Sequence, residues 1–130
     1  GLPIAFIEKR RQQNDARAEA VGVIGDVRDR DVIIVDDEVD TAGSVTEAYQ
    51  IVKGQGARDV YLSFVHAILS DPATERLQKT DFKAIVTTNT VQIPVAKKLP
   101  NMTVLSIAPL LAEVILRAHE GRSVGEMFNE

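Results

Sequence analysis

No cysteine occurs anywhere in the chain, which removes disulfides and thiolate metal sites from consideration. That absence fits a reducing, cytoplasmic setting. No apolar run approaches the roughly eighteen residues needed to span a bilayer. No basic stretch followed by an apolar one opens the chain as a secretory signal would. Excess positive charge is missing too. The net charge of −4 gives no general reason to bind nucleic acid or an anionic membrane. Repeats and low-complexity segments are absent, as are both glycine-rich phosphate fingerprints, G-x-x-x-x-G-K-[ST] and G-x-G-x-x-G.

What is present is an ordinary soluble composition. The chain has 130 residues, 45% hydrophobic and 26% charged, enough for one domain with a core. Five short apolar runs rich in Val and Ile lie at 4–7, 32–35, 60–65, 84–86 and 102–106. Their apolarity is continuous rather than alternating, which predicts strands covered on both faces, as in a parallel sheet. Helical patterns lie between them. Residues 44–53 carry Val45, Ala48, Ile51 and Val52 on one stripe and stop at Gly54. Asp71 and Pro72 read as the cap and first position of a helix to about Lys79. Residues 91–98, interrupted by Pro94, are a weaker helix. Residues 109–120 carry Leu111, Val114, Ile115 and Ala118 and stop at Gly121. Strand and helix alternate, so the expected class is α/β with a mostly parallel sheet of about five strands flanked by helices. Residues 21–27 suggest an added edge strand. The polar stretch 12–17 suggests an exposed loop. The opening GLPIAFIEKRR starts in mid-pattern, so something is expected to precede Gly1.

One stretch carries chemistry. DVIIVDDEVDTAGSVTEAY places Asp36, Asp37, Glu38 and Asp40 after an apolar strand, and Thr41, Ala42, Gly43 and Ser44 before a helix. Small residues at a strand-to-helix turn let a ligand approach the backbone. The helix start offers free amides and the positive end of a dipole, which suits phosphate. The carboxylates would repel phosphate but suit hydroxyls or a divalent cation. A sugar phosphate satisfies both halves, and open α/β sheets bind ligands at the carboxyl ends of their strands. The structural alternative is an acidic turn in which Asp40 or Thr41 caps the helix.

The stretch closely resembles the phosphoribosyl-pyrophosphate motif of the type I phosphoribosyltransferase fold. An Asp at position 40, giving DDEVDTAGS, is similar to the ribose-phosphate pyrophosphokinase family in particular. IEKRR at 7–11 resembles that family's catalytic segment, and IGDV at 24–27 follows at nearly its distance. TTNT at 87–90 and RSVGEMF at 122–128 resemble two further signatures. The resemblance covers essentially the whole chain, but only the carboxyl-terminal domain of a two-halved enzyme. It implies transfer of pyrophosphate from ATP to the C1 hydroxyl of ribose 5-phosphate, with Mg²⁺. By the same resemblance Asp36 and Asp37 meet the ribose hydroxyls, directly or through Mg²⁺. Asp40, Thr41, Ala42, Gly43 and Ser44 hold the 5-phosphate, and Lys9 and Arg11 are the catalytic cations. It also implies a cytoplasmic homo-oligomer, commonly a hexamer, and a fragment inactive without the half that carries most ATP contacts. The alternatives are a phosphoribosyltransferase acting on a base and a non-catalytic regulatory relative. Glu38, the longer loop without its usual proline, and Ser44 in place of Thr depart from the family pattern.

Overall fold

The computed structural model describes residues 2–11 and 19–128, with side chains at all of these except 8–11 and 19–21. The Val- and Ile-rich runs become four parallel strands: β3 (Val32–Val39), β4 (Val60–Ala67), β5 (Ile85–Thr88) and β6 (Met102–Leu105). Their spatial order is their chain order, β3-β4-β5-β6. The register sets Ile34 beside Leu62, Leu62 beside Ile85, and Ile85 beside Met102. That row crosses the whole sheet on its covered face.

Helices α1 (Gly43–Gly54) and α2 (Ala73–Lys79) lie on that same face. Connections between parallel strands are right-handed, and strands added in one direction therefore receive their helices on one side. α1 buries Val45, Tyr49 and Val52, and α2 buries Ala73 and Leu77. The Tyr49 ring meets Phe82 edge-on, with centroids 5.0 Å apart, as a packing residue should. Leu62 and Ile85 are 1% and 0% exposed at the centre of this layer. Arg58 forks onto Asp31 at 2.7 and 2.6 Å, tying the front of β4 to the front of β3. The same contact holds the Asp31 carboxyl below its usual pKa.

The next row along the strands is different. Val35, Ser63, Val86 and Thr103 sit side by side on the opposite face, and no described element covers Val35. Helix α3 (Ala108–Glu120), which follows β6, buries none of its residues. Its stripe of Leu110, Leu111, Ile115 and Leu116 remains exposed. Arg117 anchors the turn beyond it, donating to Glu113, to the Ser123 carbonyl and to Glu126 at 2.7, 2.8 and 3.1 Å.

The expected fifth parallel strand at 4–7 takes another form. β1 (Phe6–Arg11) pairs antiparallel with β2 (Glu19–Ile24) in a separate two-stranded ribbon. Ile7 and Val23 pack that ribbon against the core. Gly25, in the IGDV stretch, has φ +117°, and a Cβ there would lie 3.0 Å from Ala5 and from the Ile4 carbonyl. Both the backbone conformation and the close crossing require glycine. Residues 12–17, expected as a loop, lie outside the described residues.

Other boundaries shift for physical reasons. Asp71 does not cap α2; Pro72 occupies that position without a side-chain bond, and Asp71 pairs with Lys97 at 3.7 Å instead. The expected helix at 91–98 shrinks to one turn, Val95–Lys97, after Pro94. β3 runs four residues past the apolar stretch and takes Asp36, Asp37 and Glu38 into the strand. No described helix is long and apolar enough to cross a membrane.

Candidate functional site

Two of the sequence motifs, with His66 between them, meet at the carboxyl edge of the parallel sheet. The end of β3 carries the acids, the end of β4 carries His66, and the end of β5 carries Thr87 and Thr88. Asp36 continues the covered row, opposite the buried Phe64, and is itself half-buried. Burial raises its pKa, by loss of hydration; a hydrogen bond from the Asp37 amide at 3.0 Å opposes the shift, and the Asp37 side chain and charge add to it. Asp37 is exposed and accepts from the Glu38 amide at 2.9 Å.

The loop then turns into α1. Asp40 and Thr41 are exposed, and Ala42 is buried. Ala42 adopts a left-handed conformation, φ 61° and ψ 12°, at the helix cap position, and no side chain caps the helix. The capping alternative for Asp40 or Thr41 is therefore not realised. The first intrahelical bond runs from the Thr46 amide to the Ala42 carbonyl at 3.2 Å. The amides of Gly43, Ser44 and Val45 precede it and have no acceptor within the helix. They stand as donors at the positive end of α1. The left-handed position falls on Ala42, not on the glycine, so Gly43 serves by being small. A Cβ at Gly43 would meet nothing closer than 3.5 Å, the guanidinium of Arg76.

Arg76 was not foreseen from the sequence. It projects from α2 and donates to the Thr41 carbonyl at 2.9 Å, bracing the loop and standing as a cation beside it. Nothing in DPATERL signals this, because the contact joins residues 35 apart. At the next strand end His66 Nδ1 lies 3.0 Å from Thr90 Oγ1. The Val65 carbonyl accepts from Thr88 and Thr90 at 2.8 and 3.1 Å. The Asn89 side chain accepts from the Ile107 amide at 2.9 Å, which fixes the entry to α3. His66 sits beside Glu38 in the register.

Lys9 and Arg11 lie on β1, opposite Val21 and Glu19, and their side chains are outside the described residues. Among the described residues no three His, Cys, Asp or Glu side chains gather to form a metal cage. Asp36 and Asp37 supply two carboxylates, the number with which Mg²⁺ is commonly held when substrate oxygens complete the shell.

A parallel sheet with acids at the end of its edge strand, followed by a small-residue loop whose amides open a helix, defines an α/β domain of the phosphoribosyltransferase-like class. Comparison with known proteins agrees. Residues 8–129 match the sequence model of the phosphoribosyl synthetase-associated domain, and the chain belongs to that family. A ribose-phosphate pyrophosphokinase of Nostoc is 43% identical over 97% of this chain and 38% of its own length. One from Bacillus subtilis is 40% identical over 98% and 40%. The crystal structure of phosphoribosylpyrophosphate synthetase from Mycobacterium smegmatis superposes with a TM-score of 0.79 at 39% identity, covering 90% of this chain and 37% of that one. The chain thus spans well under half the length of these relatives.

Proposed function

We propose that this chain is the ribose-5-phosphate-binding, carboxyl-terminal domain of a ribose-phosphate pyrophosphokinase. In the reaction the C1 hydroxyl of ribose 5-phosphate attacks the β-phosphorus of ATP. A C1–O–Pβ bond forms, the Pα–O–Pβ bridge breaks, and AMP leaves. The observation that carries the reading is the loop. Ala42 in its left-handed conformation leaves the first amides of α1 open, directly downstream of paired carboxylates.

Asp40 through Ser44 hold the 5-phosphate with those amides and the Thr41 and Ser44 hydroxyls. Arg76 braces the loop from behind. Asp36 and Asp37 accept from the ribose hydroxyls and orient C1. Mg²⁺, held by the same two carboxylates with substrate oxygens, supplies charge neutralisation. Lys9 and Arg11 stabilise the charge that grows on the transferred group, the usual mode of catalysis in phosphoryl-type transfer. The relatives support this reading through their names and through coverage of nearly all of this chain. The ATP-binding half, the cytoplasmic setting and assembly as a homo-oligomer belong to the same proposal. The 130 residues alone are expected to form no product.

The test is calorimetric titration of ribose 5-phosphate, with and without Mg²⁺, into the full-length protein and into its Asp40→Ala/Gly43→Val double variant. A Cβ at position 43 stands at ordinary contact distance, 3.5 Å from the Arg76 guanidinium. Heat that disappears in the double variant, with folding intact by circular dichroism, supports the loop as the phosphate site. Unchanged affinity in the variant sinks the assignment.

A further inference from the structure

Ala42 holds a conformation that its side chain disfavours. At φ 61° and ψ 12° it sits in the left-handed region, where a Cβ crowds the following carbonyl oxygen. Turning the Thr41–Ala42 peptide over would bring its φ to about −120°, in the ordinary extended region for an L residue. A contact from elsewhere must therefore hold that peptide as it stands. The Ala42 amide does not do so, since it meets no acceptor among the described residues. Ala42 is nonetheless 4% exposed, and a buried residue whose amide lacks an acceptor is uncommon in a folded protein.

The contact comes from α2. Arg76 Nη1 donates to the Thr41 carbonyl at 2.9 Å. A trans peptide points its carbonyl and its amide in opposite directions. With the Thr41 oxygen held on the Arg76 side, the Ala42 amide is turned away from it. The same Nη1 passes 3.5 Å from the point where a Cβ at Gly43 would stand, so the cation runs alongside the small residues of the loop. Arg76 is available for this contact. Ala73 and Leu77 are the buried residues of α2, and they leave Arg76 exposed between them. Its neighbour Glu75 pairs with Lys79 instead. Among the described residues no carboxylate forms an ion pair with the guanidinium.

We propose that Arg76 is a positioning residue for phosphate binding. It locks the Thr41–Ala42 peptide in the orientation that adds the Ala42 amide to the open amides of Gly43 and Ser44. This rests on the reading of the loop as the 5-phosphate site and brings to it a residue from outside the motif. Arg76 acts through the backbone and not on the phosphate itself. The lock is needed because residue 42 is alanine. Glycine enters the left-handed region about as readily as the right-handed one and would need less holding.

Ribose 5-phosphate affinity of the full-length protein tests this, measured by calorimetry and as KM, with folding checked by circular dichroism. Arg76→Ala should weaken ribose 5-phosphate on the order of fivefold to tenfold and leave KM for ATP within about twofold. Adding Ala42→Gly to Arg76→Ala should recover most of that loss. An arginine that merely stabilised the fold would gain nothing from the glycine. Unchanged ribose 5-phosphate affinity in folded Arg76→Ala overturns the proposal. So does recovery by Arg76→Lys with none by Ala42→Gly, because the charge would then act on the phosphate directly. The Asp40→Ala/Gly43→Val variant separates this inference from the reading beneath it. If that variant loses binding and Arg76→Ala does not, the loop keeps its role and only the part given to Arg76 falls. If neither loses binding, the loop is not the phosphate site and both fall.

Discussion

The two faces of the apolar start of β3 are built from similar residues and have different fates. Val32 and Ile34 are half-buried against the core, while Ile33 and Val35, one residue away, meet solvent. The difference lies in partners rather than in composition. Apolar area contributes about 25 cal/mol per Å² only when something removes it from water. Side-chain identity at these positions therefore states what the sheet expects to touch, and exposure states what it touches here.

The comparison can be broken most directly at its centre. Leu62→Ala on the covered face should cost about 2–5 kcal/mol, through lost burial and a cavity. Val35→Ala on the open face should stay within about 0.5 kcal/mol in the 130-residue chain. Urea denaturation of the two variants measures both, and equal losses would mean that the open face is covered in solution. A smaller effect is expected at Arg76→Ala, where the covered face braces the loop. Removing one exposed charged hydrogen bond to the Thr41 carbonyl should cost about 1 kcal/mol or less. Faster exchange at Thr41 to Ser44 would report the loosened loop, and unchanged exchange there would argue against bracing.

The smallest effect sharpens the comparison at its end, where a carboxylate enters the covered row. Burial raises the Asp36 pKa above the ordinary carboxylate value, so the folded protein holds its proton more tightly than the unfolded chain does. Stability then falls as pH rises from about that value through the raised one, because the charged form is the disfavoured one. Asp36→Asn should remove this slope and raise the melting temperature at neutral pH by about 1–3 °C. It should also weaken ribose 5-phosphate binding. A variant that melts lower at neutral pH would show that the charge is better solvated than its burial implies.

Much of this architecture was legible in the sequence because apolar runs and stop signals are local. The four parallel strands and three of the helices fall close to their expected limits, with Gly121 ending α3 in a left-handed conformation as read. The strand limit at Val35 was too short because charge was taken as the end of the ladder. Backbone pairing continues wherever side chains can still reach water, as at Asp37 and Glu38. The first apolar run was assigned to the parallel sheet, but pairing partners are not local information, and β1 joins β2 instead. Within the site, DDEVDTAGS marked the loop. It did not reveal that Ala42 takes the left-handed turn or that Arg76 supports Thr41, since both depend on how α2 packs. The Gly25 crossing was visible only as a matched tetrapeptide; its reason is the Ala5 backbone 3.0 Å away.

The edge of β3 that no described strand pairs has a consequence for how the chain behaves in concentrated solution. A bare apolar edge strand is a template on which identical strands stack into aggregates. Val-Ile-Ile-Val is such a template, and Asp36, Asp37 and Glu38 follow it on the same strand. Stacking copies in register would bring these like charges together every ~4.8 Å, the spacing between neighbouring strands. The acids therefore act as gatekeepers, keeping molecules apart by repulsion while the edge is bare. Acidification that neutralises them lowers that barrier, and so does any cation that binds them without filling the edge.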